Sequence, residues 1–369
     1  MYDLTLIIPT LNEDTSIAKT IMKVHGVLSK NNINGQIIIV DDNSTDGTIR
    51  TVNEMRSGHP NLSLIIRTSD HGLSQSLVDG FNHAKSDVLM VIDADGQHPV
   101  EKITELYQGI LDGNDIVLGS RYMGIEGSGV KDWAYHRRVL SWGATMLARI
   151  LFPAITDSGS GFFAFRKEVI KDAPLKPQGF RMLFEILGKG HWKTVKEIPY
   201  IFGVREKGVS KLTAKTVIDF LKQLWGLFTF SLTHPDTHGY KELKRLATFM
   251  AVGISGVLVN LGMLYVVTEW VGLSYLWSGL IGVEVSILSN FTLNDLITFR
   301  DITHKNFTVT ERLITYHLIT IMGSAISFSI LVTLTSLFGV WYILSGFIGL
   351  MVAFIWNFAL NRETTWGGD

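Results

Sequence analysis

Along residues 1–240, short runs rich in Val, Ile and Leu alternate with stretches whose apolar positions recur at helical spacing. Leu4 to Pro9, Gln36 to Asp41, Leu62 to Arg67, Asp87 to Asp93 and Asp115 to Gly119 read as strands. Thr15 to Ser29, Gly47 to Ser57, Ser74 to Ala84 and Val100 to Asp112 read as the helices between them. Strands alternating with helices predict an α/β domain with a mostly parallel, doubly wound sheet, whose ligands gather at the carboxyl ends of the strands.

From residue 241 the pattern changes. Leu246 to Thr268, and the 49 residues from Leu313 to Asn361, contain no Asp, Glu, Lys or Arg. A membrane span takes about 20 apolar residues, so the second stretch predicts two helices with a turn near Phe338-Gly339-Val340. Leu276 to Leu296, interrupted only by Glu284, completes an all-α domain of four transmembrane helices, over about 246–270, 276–297, 313–337 and 340–361. Lys241, Lys244 and Arg245 precede the first, Arg300, Lys305 and Arg312 lie between the second and third, and Arg362 follows the fourth. Both termini and the soluble domain are therefore expected on the cytoplasmic side.

The two hairpins read as copies: Asn290-Phe291-Thr292-Leu293-Asn294 with Phe299 recurs 67 residues later as Asn357-Phe358-Ala359-Leu360-Asn361 with Trp366. Asn pairs at i, i+4 suit hydrogen bonds between helices or a lipid-headgroup contact. Glu284 is costly in lipid, so it is either functional or neutral beside a polar group such as Asn260 or His317. Between the domains, residues 213–240 include Val217 to Phe228, which suits an interfacial helix; Trp133 to Phe152 suits that role or packing on the soluble core.

Composition narrows the partners. Charged residues make up 18% of the chain against a usual quarter or so, and the deficit is local: about 12% of residues 241–369 are charged but about 22% of residues 1–240. A net charge of −1 offers no basic surplus for a nucleic-acid backbone. The absence of cysteine excludes disulfides, thiolate metal sites and cysteine nucleophiles. Met1 to Ile8 lacks the basic region and long apolar run of a signal peptide, so these residues are expected to be folded and cytoplasmic.

The expected strand ends are acidic. Glu13 follows the first, Asp41-Asp42-Asn43-Ser44-Thr45-Asp46-Gly47 the second, and Asp93-Ala94-Asp95-Gly96-Gln97-His98-Pro99 the fourth. No P-loop and no Gly-x-Gly-x-x-Gly is present, which removes those phosphate-cradling readings. The run from Asp41 is equally good turn and cap chemistry. Asp93 and Asp95 differ: two carboxylates at the end of a buried strand repel unless a cation lies between them, and oxygen donors of this kind suit Mg²⁺ or Mn²⁺ bridging a diphosphate.

Ile8-Pro9-Thr10-Leu11-Asn12-Glu13, Val40 to Thr48 and Asp93-Ala94-Asp95 together resemble the inverting nucleotide-sugar glycosyltransferases of family 2, which have a GT-A (Rossmann-like) catalytic domain. Gly119-Ser120-Arg121-Tyr122, the series Trp133, Arg137, Ser141 and Arg149, then Asp157, Ser160-Gly161-Phe162, Arg205 and Ser210-Lys211 resemble dolichol-phosphate mannose synthases. Asp70 and Gly96 depart from that pattern. The membrane part resembles the GtrA-like four-helix proteins. Together with the change in charge along the chain, this gives an expected catalytic domain over 1–212, an interfacial amphipathic helix and linker over 213–240 and a membrane domain over 241–369.

The resemblance further implies a donor site of Pro9, Leu11, Glu13, Val40, Asp42 and Asp93, and a metal site of Asp93, Asp95 and Gln97. Arg121, Arg137, Ser141, Arg205 and Lys211 would hold the acceptor phosphate, with Asp93, Asp95, Arg121 and Arg205 as the catalytic group. The implied reaction moves mannose from GDP-mannose to dolichyl or another polyprenyl phosphate at the cytoplasmic leaflet, with Mg²⁺ or Mn²⁺ and no nucleic acid. Two alternatives stay open at this point: a glucosyltransferase using UDP-glucose, and a translocator of lipid-linked sugars with a regulatory soluble domain.

Overall fold

The computed structural model of the chain describes residues 2–130, 145, 148–153, 155–175, 181–203, 214–302 and 307–367, without the side chains of 214–217. Contacts divide the chain into two units, Met1–Tyr240 and Lys241–Asp369.

The first unit opens with β1 (Leu4–Thr10), α1 (Ile17–Lys30), β2 (Gly35–Asp41), α2 (Thr48–Arg56), β3 (Leu62–Ile66), α3 (Leu73–His83) and β4 (Val88–Val91). A 3₁₀ turn, Val100–Lys102, leads into α4 (Ile103–Leu111), followed by β5 (Ile116–Ser120). These are the elements expected from periodicity, with ends within two residues except where the 3₁₀ turn opens the fourth helix. Every residue of β1 and β2 is buried, as strands covered by helices on both faces must be.

Later come β6 (Gly129–Val130), β7 (Phe163–Arg166), α5 (Met182–Lys189), β8 (Val195–Pro199), β9 (Ile201–Phe202) and α6 (Ala214–Thr233). The seven-stranded sheet has the order β3-β2-β1-β4-β7-β5-β8. All neighbours are parallel except β7, which runs antiparallel between β4 and β5. That reversal matters for the site. β1, β2, β4, β5 and β8 end on one edge, and β7 begins there, so the loop entering β7 meets the carboxyl ends of its neighbours. The register places Val91 opposite Phe163 and Leu118 opposite Phe163 on the other side.

Helix α6 has two faces. Gln223, Leu227 and Ser231 are buried, whereas Ile218, Leu221, Trp225 and Leu232 are exposed. Of the earlier stretch Trp133 to Phe152, the described Ala148, Leu151 and Phe152 are buried, with the Phe152 ring 6.1 Å from Phe184.

The second unit is α-helical: α7 (His238–Glu269), α8 (Tyr275–Leu293), α9 (Val309–Phe338) and α10 (Tyr342–Leu360). All four, counting the π turns that extend α8 to Thr298 and α10 to Thr365, are long and apolar enough to cross a membrane. The repeat read from sequence is a structural one. Thr298 donates to Asn294 and Thr365 to Asn361, each at 2.8 Å. The copies' aromatic ends stack on each other, Phe299 on Trp366, with ring centroids 4.4 Å apart and both side chains fully buried. Such a stack is worth about 1 kcal/mol beyond the area it buries. The Asn294 amide also reaches the Tyr316 hydroxyl on the other hairpin at 3.4 Å.

The charges near the helix ends pair among themselves. Glu242 takes both Arg245 and Arg362, Asp301 takes Arg245, and Asp295 takes Arg312 and the Trp366 indole N–H. Glu284 has His317 Nε2 at 3.1 Å, one of the two partners named from sequence.

Candidate active site

Two acidic loops flank the place where the sheet order reverses, between β1 and β4, where open α/β sheets bind ligands. The loop after β2 closes on its surroundings. Asp41 accepts from Thr10 Oγ1 at 2.9 Å and from Ser44 N and Oγ at 2.7 Å each. Asp42 is loaded on both oxygens, taking Arg67 Nη1 at 2.7 Å, His71 Nδ1 at 2.9 Å and Gly72 N at 2.8 Å. Arg67 also donates to Asp79 at 2.6 Å and to the Asp70 carbonyl, so the pair anchors the loop entering α3.

Asp46, just before α2, accepts from Thr48 N at 2.9 Å and from Thr48 Oγ1 at the first turn of the helix. Burial works to raise its carboxyl, but the hydrogen bonds from Thr48 and Asp14 outweigh that and hold it below the usual range. Asn12 and Asn43, both in the left-handed region that Asn tolerates, turn the chain at the ends of β1 and β2. Asn12 then stitches the two loops together, donating N–H to Ser44 Oγ and accepting from Thr45 N.

The loop after β4 is different. Asp93 keeps 34% of its side chain exposed and meets His98 Nε2 at 3.1 Å. Asp95 is buried and accepts from Gln97 N at 3.1 Å. Gln97 is fastened twice to Gly203, through Nε2 to its carbonyl and through its own carbonyl to the Gly203 N–H, both at 2.8 Å. His98 sits in an aromatic socket of Phe162, Tyr200 and Phe202, with centroids 5.2–5.6 Å away. Sequence reasoning gave His98 no role; its place inside the acidic motif, five residues after Asp93, was the available signal.

Across from Asp93 lies the loop entering β7. A Cβ on Gly161 would come within 2.8 Å of Asp93 Oδ2, so a larger residue would push into that carboxylate. The same loop carries Asp157, fully buried, whose oxygens take Arg121 Nε at 2.7 Å and Nη2 at 2.8 Å, a bidentate pair. Burial alone would lower the Arg121 pKa, but Asp157 outweighs it and the guanidinium is held above its ordinary range. Arg121 lies over Phe202 and Tyr122. Glu197 on β8 accepts from Thr156 N at 2.9 Å and Asp157 N at 3.1 Å, and burial raises its carboxyl despite those bonds.

Of the donor set, Pro9 and Val40 are buried in β1 and β2, Leu11 is exposed at the edge, and Glu13 accepts from Ser16 Oγ at 2.9 Å. The structure brings Asp93, Asp95, Gln97 and Arg121 to one edge with Leu11, Glu13 and Asp42. Arg137, Ser141, Arg205 and Lys211 lie outside the described residues.

The glycosyl transferase family 2 model matches residues 5–173, and the GtrA/DPMS transmembrane domain model matches residues 248–366. A dolichol-phosphate mannosyltransferase of Pyrococcus furiosus is 37% identical over 365 residues, covering 98% of this chain and 99% of the relative. A polyprenol monophosphomannose synthase of Mycolicibacterium smegmatis is 30% identical over 234 residues, 60% of this chain and 86% of the relative. Among solved structures, glucosyl-3-phosphoglycerate synthase from Mycobacterium tuberculosis, in complex with Mg²⁺ and uridine diphosphate, matches with a TM-score of 0.46 at 17% identity over 61% of this chain and 79% of that one. With likeness to the archaeal relative running the full length of both, this chain belongs to the dolichol-phosphate mannosyltransferase family, as a family 2 glycosyltransferase joined to a multi-pass membrane domain.

Proposed function

We propose that this chain transfers mannose from GDP-mannose to dolichyl or another polyprenyl phosphate at the cytoplasmic face of the membrane, by a single inverting displacement. The observation that carries this reading is the meeting, across Gly161, of an acidic strand end with a buried Arg121–Asp157 pair. Carboxylates on one side and guanidinium on the other suit a reaction in which a diphosphate departs and a phosphate arrives. The names of the relatives, over their shared length, favour mannose and a polyprenyl acceptor.

The donor set of this chain fits a divalent cation. Asp93 and Asp95 supply hard carboxylate oxygens and Gln97 an amide oxygen, and two neighbouring carboxylates are most stable with a positive charge between them. Among the described residues no three His, Asp or Glu side chains converge, so Mg²⁺ or Mn²⁺ there would take its other ligands from the diphosphate and water. Bound, such an ion would neutralise charge on the leaving diphosphate.

The chain's own residues do the rest. His98 holds Asp93 from behind. Pro9, Leu11, Glu13, Val40 and Asp42 form the wall against which the nucleoside lies, with Asp42 acting through the Arg67–Gly72 loop that it ties down. The acceptor phosphate is already an anion, so its attack needs no strong base, and the work of Arg121, Arg137, Ser141, Arg205 and Lys211 is to hold it in line against repulsion. The boundaries that go with this reading are 1–212 for catalysis, 213–240 for a segment in the interface and 241–369 for the membrane. The exposed Ile218, Leu221, Trp225 and Leu232 of α6 support the middle assignment.

The test offers the detergent-solubilised full chain radiolabelled GDP-mannose or UDP-glucose, with dolichyl phosphate and Mg²⁺, and follows label into the organic phase. Label from GDP-mannose, abolished by EDTA and restored by Mg²⁺ or Mn²⁺, is expected. Label from UDP-glucose alone would overturn the donor, and no transfer from either would overturn the reading.

A further inference from the structure

Arg181, at the start of α5, belongs to none of the residue sets above. Its guanidinium is stacked over Phe184 at 5.7 Å and Phe220 at 5.5 Å, and its Nη1 is buried with no hydrogen-bond partner. A Cβ on Gly159 would fall 1.7 Å from that nitrogen, so Nη1 presses against the turn between Asp157 and Gly161. The far end of this turn abuts Asp93. Arg181 therefore lies beside the same loop that carries the partner of Arg121.

Two guanidinium groups, those of Arg121 and Arg181, stand near the one carboxylate of Asp157. Asp157 has both oxygens taken by Arg121, including a third bond from the Arg121 backbone N–H at 3.0 Å. Among the described residues Arg181 has no ion pair. Burial and the neighbouring Arg121 charge outweigh the attraction of Asp157 and push its guanidinium down to about 10, still charged at neutral pH. A guanidinium nitrogen buried without a hydrogen-bond partner is costly, and an arginine cannot escape the cost by losing its proton. Such a charge is tolerated where a ligand supplies the anion.

We propose that Arg181 is a phosphate-recognising residue on the acceptor side of the site, completing with Arg121 a positive pocket that the phosphate of the polyprenyl acceptor neutralises. The inference rests on the function proposed above and adds to it a residue and a ligand group. The acceptor is favoured over the donor diphosphate for two reasons. The acidic strand end of Asp93 and Asp95 lies on the donor's side and suits a diphosphate held through a cation. The walls around Arg181 are also apolar, and one of them, Phe220, belongs to α6, whose opposite face exposes Leu221 and Trp225.

The test compares full-length Arg181→Met and Arg181→Lys with the unaltered protein in nanodiscs, reading three quantities: KM for dolichyl phosphate, KM for GDP-mannose, and Tm with and without inorganic phosphate or dolichyl phosphate. For Arg181→Met the acceptor KM should rise about tenfold or more while the donor KM stays within about twofold. Its ligand-free Tm should hold or rise, because a buried nitrogen without a hydrogen-bond partner has gone, and the Tm increase produced by dolichyl phosphate should shrink. Lys should restore part of the acceptor affinity.

A lower ligand-free Tm with unchanged acceptor KM would overturn the proposal in favour of a packing role for the stacked guanidinium. A rise in the donor KM alone would overturn it in favour of the diphosphate. If inorganic phosphate stabilises the unaltered protein and not Arg181→Met, but dolichyl phosphate stabilises neither, the acceptor assignment falls. Absence of mannosyl transfer by the unaltered protein would count against the proposed function, whereas a dolichyl phosphate Tm shift lost in Arg181→Met would still support the site.

Discussion

Two loops of similar composition, one after β2 and one after β4, end up in different chemical states. In the first, Asp41, Asp42 and Asp46 are consumed by the fold: serine, threonine, arginine, histidine and backbone N–H groups fill their acceptor positions. In the second, Asp93 has one histidine behind it and stays a third exposed, and Asp95 accepts from the Gln97 N–H of its own loop. The difference teaches that a run of carboxylates at a strand end is not evidence of a ligand until its hydrogen bonds have been counted. A carboxylate whose acceptors are filled by the fold is accounted for as structure; Asp93, a third exposed and two residues from a second carboxylate, fits the cation proposed above.

The sharpest way to break the contrast is to remove the carboxylate from each loop in turn. Asp95→Asn is expected to lower turnover about a thousandfold, since it takes charge from the place where the leaving diphosphate would be neutralised, and to leave Tm within a degree or two. Radiolabel transfer and a thermal melt on the same sample check both halves. Turnover within tenfold of the unaltered protein would mean that the second loop is as structural as the first.

Asp42→Asn should invert the pattern. Arg67 would lose the buried one of its two carboxylate partners, the third-exposed Asp79 remaining, so a stability loss of about 2 kcal/mol is expected, read from denaturant or thermal unfolding. GDP-mannose KM should rise as the loop through Gly72 loosens, while kcat changes little. A large rise in KM without any loss of stability would show Asp42 to be a direct ligand rather than an anchor, and the contrast between the loops would fail.

The loops also differ in how readable they were. Strand and helix positions followed from apolar spacing because the strands are covered on both faces and the helices on one, which leaves a plain signal in residue order. The reversed strand β7 left none: Phe163–Arg166 is four residues long, and its place between β4 and β5 is decided by packing. Everything that reversal creates was hidden with it, including Asp157 as the partner of Arg121 and the approach of Gly161 to Asp93. Arg121 was picked out as a candidate from its motif, but its pairing with a buried carboxylate was not. Arg181 was invisible, because a lone arginine before an apolar run reads as a solvated charge. The membrane helices were the easiest part, since a charge-free stretch and a repeat of 67 residues are both visible in one dimension. Even there, the stacking of Phe299 on Trp366 needed three.

The smallest effect tests the least conspicuous carboxylate. Asp46 stands at the start of α2, exposed, with its carboxyl held below its ordinary value of 3.8 by bonds from Thr48 and Asp14 that outweigh the effect of burial. A group whose pKa is depressed by folding contributes stability that is present above the unfolded value and disappears as pH falls through the folded one. Asp46→Ala should therefore cost about 0.5–1 kcal/mol at neutral pH, the usual worth of a side chain capping a helix start. That cost should stay constant down to about pH 5 and shrink below about pH 4, where the unaltered protein loses the same interaction by protonation. Turnover at neutral pH should be unchanged. Unfolding curves of the two proteins measured across that range should converge at the acid end; curves that stay parallel to pH 3 would mean that the Thr48 bonds do not depend on the charge of Asp46.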